Sequence, residues 1–316
     1  MRIRAIAAAA SLSGALALTA LAVPGAQAAD SATPTTQQAR DFAKQHAAGA
    51  TSAKARTFAA DATGEPYAID ATFSNVKVNG GKPIVAGTTS VVHAPVTYTL
   101  THPADVDVTS PEVLTDVDIY WVNSDASDGN VLFDAEYASC TPVTDTTATC
   151  TQSIDIDPSV ELYNVDAGKA WKAEGSLIDT NGVDITDENA DFSQVGFAYQ
   201  DALASTTLQR RSTLTVNASP EPVYKGRTIT VTGYLKRANW DTGAYAGYTK
   251  QGVKLQFRKK GTTSYPSTYL KTATSSSTGY LKTTYTASSD GYWRYNFLGT
   301  STTPAVKASG DYVDVR

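Results

Sequence analysis

Sulfur is almost missing from this 316-residue chain, which has two cysteines, Cys140 and Cys150, and one methionine. Histidine is nearly as scarce, with only His46, His93 and His102. These shortages exclude whole chemistries. Zinc sites draw on several Cys and His ligands, and too few are present. Nine residues separate the cysteines, so they do not form a C-x-x-C redox pair. His93 and His102 would face opposite sides of one extended strand, and His46 lies far upstream, so a Ser–His or Cys–His relay has little to be built from. There is no G-x-S-x-G, no H-E-x-x-H and no phosphate-cradling loop. Beyond residue 29, no run reaches the ~18 apolar residues that a spanning helix needs. Wholesale disorder is excluded as well, because 41% of the chain is hydrophobic and only 18% is charged.

The beginning of the chain reads as an export address. Arg2 and Arg4 precede an apolar stretch from Ala5 to Val23, Pro24-Gly25 breaks it, and Ala26-Gln27-Ala28 offers a small-x-small cleavage site. Cleavage is expected after Ala28 or Ala29, and the mature protein is expected to be extracellular and without a membrane span. In such an oxidising compartment Cys140 and Cys150 should pair. Closing a loop of this size stabilises a fold by roughly 2–3 kcal/mol. Residues 30–61 are rich in Ala, Thr, Gln and Ser. A short polar helix over Gln37–Ala48 could gather Ala39, Phe42, Ala43 and His46 on one side. It is too weakly apolar to fold alone, so 30–61 reads as a flexible leader.

From Tyr67 onward the period is two. Val96, Tyr98 and Leu100 alternate with threonines; Val117, Ile119 and Trp121 alternate with Asp116, Asp118 and Tyr120. Trp171, Ala173 and Leu177 alternate with Lys172, Glu174 and Ser176. Turn signals such as Asn79-Gly80-Gly81 and Asn181-Gly182 recur between them. This is the pattern of half-buried antiparallel strands in a β-sandwich. It restarts near Arg211, where Ser212–Ala218, Ile229/Val231/Leu235, Val253/Leu255/Phe257, a short strand near Tyr265–Leu270, Leu281/Thr283/Tyr285, Trp293/Tyr295/Phe297 and Val313/Val315 give about seven strands, the immunoglobulin-like count. The overall net charge of −5 hides a division at the same place. Residues 62–200 hold 22 acids and 4 bases, whereas 210–316 hold 16 bases and 5 acids. The expected layout is all-β, with two tandem sandwiches: an acidic one over 62–208 and a basic one over 209–316. Opposite charge should draw these tethered neighbours together, less strongly in salt.

The run Ala218-Ser219-Pro220-Glu221-Pro222-Val223-Tyr224-Lys225-Gly226, with Ile229, Val231 and Gly233 after it, resembles the opening of an actinobacterial secreted immunoglobulin-like module. Gly279 and Asp290-Gly291-Tyr292-Trp293-Arg294 are similar to the last third of that module. The acidic part, with Asn79-Gly80-Gly81-Lys82-Pro83-Ile84-Val85 and the two cysteines, resembles exported actinobacterial proteins with no assigned activity. Chains of this layout are sometimes labelled calcium-binding, which the resemblance carries over as an expectation to be tested on residues.

Calcium takes ~6–8 oxygen ligands that converge on a point. The pairs Asp105/Asp107, Asp116/Asp118 and Asp155/Asp157 each place two carboxylates on one strand face. The loop from Asp179 to Glu188 is denser, and Asp179, Asn181, Asp184, Asp187 and Glu188 form the best ligand set for calcium; no other cofactor is expected. Against an EF-hand its first position would be Leu177 and its eighth Asp184, both departures from the pattern. The alternative is that these acids form a solvated face that keeps an exported protein soluble. In the basic part, Lys250, Lys254, Arg258, Lys259 and Lys260 gather around one strand, flanked by Tyr245, Tyr248, Tyr265 and Tyr269. Basic residues among aromatics suit a cell-wall polymer or acidic glycan, with Lys254, Arg258, Lys259, Lys260 and Tyr265 as contacts. Lysines guarding strand edges are the plainer explanation. The combined expectation is a secreted, non-catalytic binding or structural protein of the cell surface. A calcium-binding protein comes second and a carbohydrate-active enzyme working through paired carboxylates third.

Overall fold

The computed structural model describes residues 33–50, 64–124 and 126–316. The export signal read in residues 1–29 and the leader over 51–61 lie outside them. The period-two sequence forms β1 (Tyr67–Ala68), β2 (Thr72–Val78), β3 (Ile84–Ala86), β4 (Val92–Thr101), β5 (Val113–Val122), β6 (Gly129–Leu132), β7 (Ser139–Thr144), β8 (Thr147–Ile156), β9 (Trp171–Asp179), β10 (Gly196–Thr206) and β11 (Leu208–Arg210). It continues with β12 (Ser212–Leu214), β13 (Asn217–Ser219), β14 (Thr228–Asn239), β15 (Ala244–Gly247), β16 (Gly252–Lys259), β17 (Lys271–Thr274), β18 (Tyr280–Thr286), β19 (Gly291–Phe297), β20 (Val306–Lys307) and β21 (Asp311–Val313). One α-helix, α1 (Thr36–Ala50), precedes them. The fold class is all-β, as the alternation implies. No helix among the described residues is long and apolar enough to cross a membrane.

The chain forms two compact units, each assembled from separated stretches. One comprises Met1–Val76, Thr97–Gln152 and Lys172–Leu203; the other comprises Lys77–Val96, Ser153–Trp171 and Ala204–Arg316. This departs from a single cut near residue 208. The reason lies in the pairing of β3 with β11, in parallel, from Ile84↔Leu208 to Ala86↔Arg210. Beside it the Trp240 indole N–H donates to the Gly87 carbonyl at 2.7 Å. These contacts tie stretches from the acidic half of the sequence into the second unit.

In the first unit a five-stranded sheet runs β1-β10-β9-β5-β6, and a four-stranded sheet β2-β4-β8-β7 contributes strands that face it. The Tyr98 hydroxyl meets Thr115 Oγ1 at 3.1 Å between the two sheets. Cys140 and Cys150 are register partners on β7 and β8 and form the expected disulfide. In the second unit, β14 binds β12, β13, β15 and β18 in one five-stranded sheet, and β16, β17, β19, β20 and β21 make the other. Ile229, Val231, Leu235, Val253, Leu255, Trp293 and Tyr295 fill the space between them. The strand expected near Tyr265–Leu270 lies instead at Lys271–Thr274. Tyr265–Leu270 carries Pro266 and no alternation, and it is a loop.

The flexible-leader reading needs correction over Thr36–His46. The α1 helix sits in the first unit, with Ala39, Phe42 and Ala43 buried against Leu114, Ile178, Ile185, Val195 and Phe197. Thr35 and Gln38 start it as a capping box: Gln38 N–H reaches Thr35 Oγ1, and Thr35 N–H reaches Gln38 Oε1. Its apolar stripe is narrow, as the sequence indicates. What anchors it is a ring cluster, with Phe42 edge-on to Phe192 at 5.2 Å and to Phe197 at 6.0 Å.

Candidate functional site on a basic, aromatic sheet face

Strand β16 turns Val253 and Leu255 into the core of the second unit, so Lys254, Gln256 and Arg258 emerge on the other side of the sheet. Antiparallel register sets Asn296, Arg294 and Tyr292 of β19 opposite them. Tyr312 of β21 pairs with Tyr292 one strand further on. The loop after β16 then folds back over this face. Gln256 Nε2 donates to the Pro266 carbonyl at 2.7 Å, and Arg258 donates to the Thr262 carbonyl.

The product is an alternation of cations and rings. Arg294 Cζ lies 3.7 Å from the centre of the Tyr265 ring, and Arg258 Cζ lies 5.4 Å from the same ring. Arg258 also stacks on Tyr292 at 4.1 Å. Lys260 Nζ stands 5.4 Å from the Tyr312 ring, and Lys254 Nζ stands 6.0 Å from Tyr269. Hydrogen bonds to Tyr312 and Asp290 hold the Lys260 ammonium above the usual lysine range. Burial pulls the Arg294 guanidinium slightly down, so its charge costs something to hold here. Such cation–ring contacts are each worth about 0.5–1 kcal/mol at exposed sites, and they fix long side chains that would otherwise wander.

The structure therefore brings Lys254, Arg258, Lys260 and Tyr265 onto one face, with Lys259 exposed at its end. It does not bring Tyr248 there: that ring is buried in the core under Arg237, 3.9 Å away. Sequence reasoning missed Arg294, Tyr292 and Tyr312. Once Trp293 and Tyr295 are assigned inward, period two sends Tyr292 and Arg294 outward, so the signal was present.

The proposed calcium ligands are not gathered. Asp184 Oδ1 is used by the Thr186 N–H and hydroxyl, and Asp187 Oδ1 by the Asn189 N–H. The Asn181 amide donates to the Gln194 carbonyl, while Asp179 Oδ1 accepts from Asn181 N–H. The three aspartates each close their own turn. Among the described residues no three His, Cys, Asp or Glu side chains converge as metal ligands. Of the three Asp-x-Asp pairs, the structure buries Asp116 and Asp118, whereas Asp107 caps Thr109 and Asp157 caps Ser159.

Burial of Asp116 and Asp118 overturns the expectation of a solvated acidic face at β5. Glu174, the register partner of Asp118 on β9, is buried as well. The α1 helix covers all three and sets Arg40 Nε 3.0 Å from Asp118 Oδ2. Lys44 Nζ contacts Glu174 Oε2, to which the Tyr199 hydroxyl also donates at 2.7 Å.

No family model matches this chain, and no curated protein matches it. Among solved structures it is similar to a marsupial T cell receptor, with 11% identity and a TM-score of 0.27, covering 78% of this chain and 72% of that one. It is also similar to the full ectodomain, Ig1–Ig3, of mouse nectin-like molecule 4, with 11% identity and a TM-score of 0.23. That match covers 76% of this chain and 63% of the other.

Proposed function

We propose that this chain is a secreted, non-catalytic binding protein whose second unit holds an acidic polysaccharide of the cell surface. The observation that carries the reading is the row Lys254–Tyr269, Arg294–Tyr265–Arg258–Tyr292 and Lys260–Tyr312 on one sheet face. Fixed cations answer the carboxylates or phosphates of such a polymer, and the exposed edges of the rings offer apolar faces to its sugars. A row of cations and rings spread along a sheet suits a long polymer better than a small enclosed substrate. The Arg2/Arg4 n-region, the apolar run to Val23 and the Ala-x-Ala site support export.

Retention of the full chain on immobilised acidic polysaccharide should fall about tenfold when Lys254, Lys259 and Lys260 are all changed to Gln, because three charges at roughly 0.5 kcal/mol each amount to about 1.5 kcal/mol, and about 1.4 kcal/mol is a factor of ten. The charge-matched variant Lys225→Gln/Lys282→Gln/Lys307→Gln should keep its retention. Equal losses in both variants would reduce the interaction to net charge and remove the site.

A further inference from the structure

We propose that Lys44 and Glu174 are joined by an intramolecular amide bond between the lysine amine and the glutamate carboxyl, which ties α1 covalently to strand β9. Five observations support this. Lys44 Nζ and Glu174 Oε2 are in direct contact across 130 residues of sequence. The Tyr199 hydroxyl donates to that same Oε2 at 2.7 Å and so polarises the carboxyl. The other oxygen, Oε1, is buried and has no hydrogen-bond partner, on a side chain only 3% exposed. Lys44, Glu174, Asp118 and Tyr199 line a cavity of about 10 Å³, close to the smallest space that admits one water. Lastly, Asp118 faces Glu174 in register from the next strand, where partner Cβ atoms lie about 4.5–5.5 Å apart.

The reaction closes without a co-reactant. One proton passes from the Lys44 ammonium to the Glu174 carboxyl and settles on Oε1, the oxygen without another partner, leaving an amine and a carboxylic acid whose Oε2 is held by the Tyr199 hydroxyl. The amine lone pair attacks Cδ, and the Nζ–Cδ bond forms. The Tyr199 hydroxyl stabilises the charge that develops on Oε2. Oε1 takes a proton from Asp118, the Cδ–Oε1 bond breaks, and water leaves. Asp118 recovers a proton from Nζ. Two of the three ammonium protons depart with Oε1, so an ammonium and a carboxylate become one amide and one water. Burial holds the Asp118 carboxyl above the ordinary carboxylate range, with the charge of Asp116 adding to this and Arg40 opposing it, a setting that suits a group that passes protons. Fixed proximity replaces chemical activation of the carboxyl, as in other intramolecular acyl transfers.

The bond gives the narrow stripe of α1 a reason to hold. Salt screens the Lys44 and Arg40 pairs, but an amide does not respond to salt or pH.

The test is peptide mass after proteolysis of the denatured full-length chain. The expected species is a peptide containing Lys44 joined to one containing Glu174, lighter than their sum by one water, about 18 Da. The protein with Lys44→Arg keeps the positive charge and the ion pair but should show both peptides separately. With Asp118→Asn the linked species should fall to a small fraction. Separate, full-mass peptides from the unmodified chain would overturn the proposal. Undiminished linkage in Asp118→Asn would remove Asp118 from the reaction.

Discussion

Replacing Gly279 with alanine should destabilise the second unit by about 3–5 kcal/mol, the range reserved for backbone conflict and core damage. Gly279 has φ +79°, a conformation that costs an alanine roughly 1 kcal/mol. The larger cost is steric. A Cβ at this position would lie 2.1 Å from the Leu235 carbonyl oxygen and 2.9 Å from Gly247 Cα, both backbone atoms that no rotamer change can move aside. The close approach exists because Leu235 N–H donates to the Gly279 carbonyl at 2.8 Å while β15 lies alongside. Relieving the clash would break that bond and disturb β14, the strand that organises its whole sheet. Gly243 separates the two contributions. It has φ +64° and nothing within 4 Å of a built Cβ, so Gly243→Ala should lose only the conformational ~1 kcal/mol. Urea unfolding of the two full-length variants compares them directly. Similar midpoints for both would show that the sheet can shift to accept the methyl group.

Gly279 illustrates what the sequence states openly. Its place before Tyr280 and Leu281 marks a strand start, and the resemblance of this region to an immunoglobulin-like module rests partly on it. The core faces of β14, β16 and β19 were equally legible, because a sheet with one face in water writes its period into the residues. Strand β5 was not. Asp116 and Asp118 sit where the alternation calls for solvent, and the alternation itself is correct: they do point away from Val117 and Ile119. What covers them is α1, which lies more than sixty residues earlier in the chain and is drawn from a stretch of Ala, Gln and Thr. A long-range cover of this kind leaves its mark only as Phe42 and the spacing of Arg40 and Lys44, which are the residues that meet the acids and rings beneath. The acidic loop was ambiguous for the opposite reason. Asp, Asn and Gly are turn formers as well as ligands, and the carboxylates of Asp179, Asp184 and Asp187 each bond the backbone two residues on. The basic face was legible as a composition but not as a surface, since Tyr265 and Arg294 meet only through register and a folded-back loop.

The buried acids also set the sign of a pH effect. Burial raises the Asp116 carboxyl to about 6 against 3.8 for an ordinary aspartate, only partly offset by the hydrogen bond from Gln152 Nε2 at 2.6 Å. The groups around it are Asp118 on its own strand, Glu174 on β9, Asp134 and Tyr137 before β7, and Arg40 and Lys44 on α1. A carboxyl whose folded-state pKa is raised stabilises the fold in its neutral form. That contribution is complete below pH 4 and is lost as pH rises through about 6. A shift of about two units corresponds to roughly 2–3 kcal/mol. The first unit should therefore become less stable between pH 4 and pH 7, opposite to ordinary acid denaturation. Exposed Asp107, Asp184 and Asp191 act the other way below pH 4, because turn hydrogen bonds hold their carboxyls low. Stability should peak in mild acid. Asp116→Asn keeps an acceptor for Gln152 and removes the charge. At pH 7 to 8 the variant should be more stable than the parent chain by about 2–3 kcal/mol, and at pH 4 the two should coincide. Thermal unfolding of both full-length proteins across this range, read by amide exchange in β5, measures the difference. A variant less stable than the parent at pH 7 would mean that Asp116 is held as a paired carboxylate beneath α1 and that its neutral form stabilises nothing.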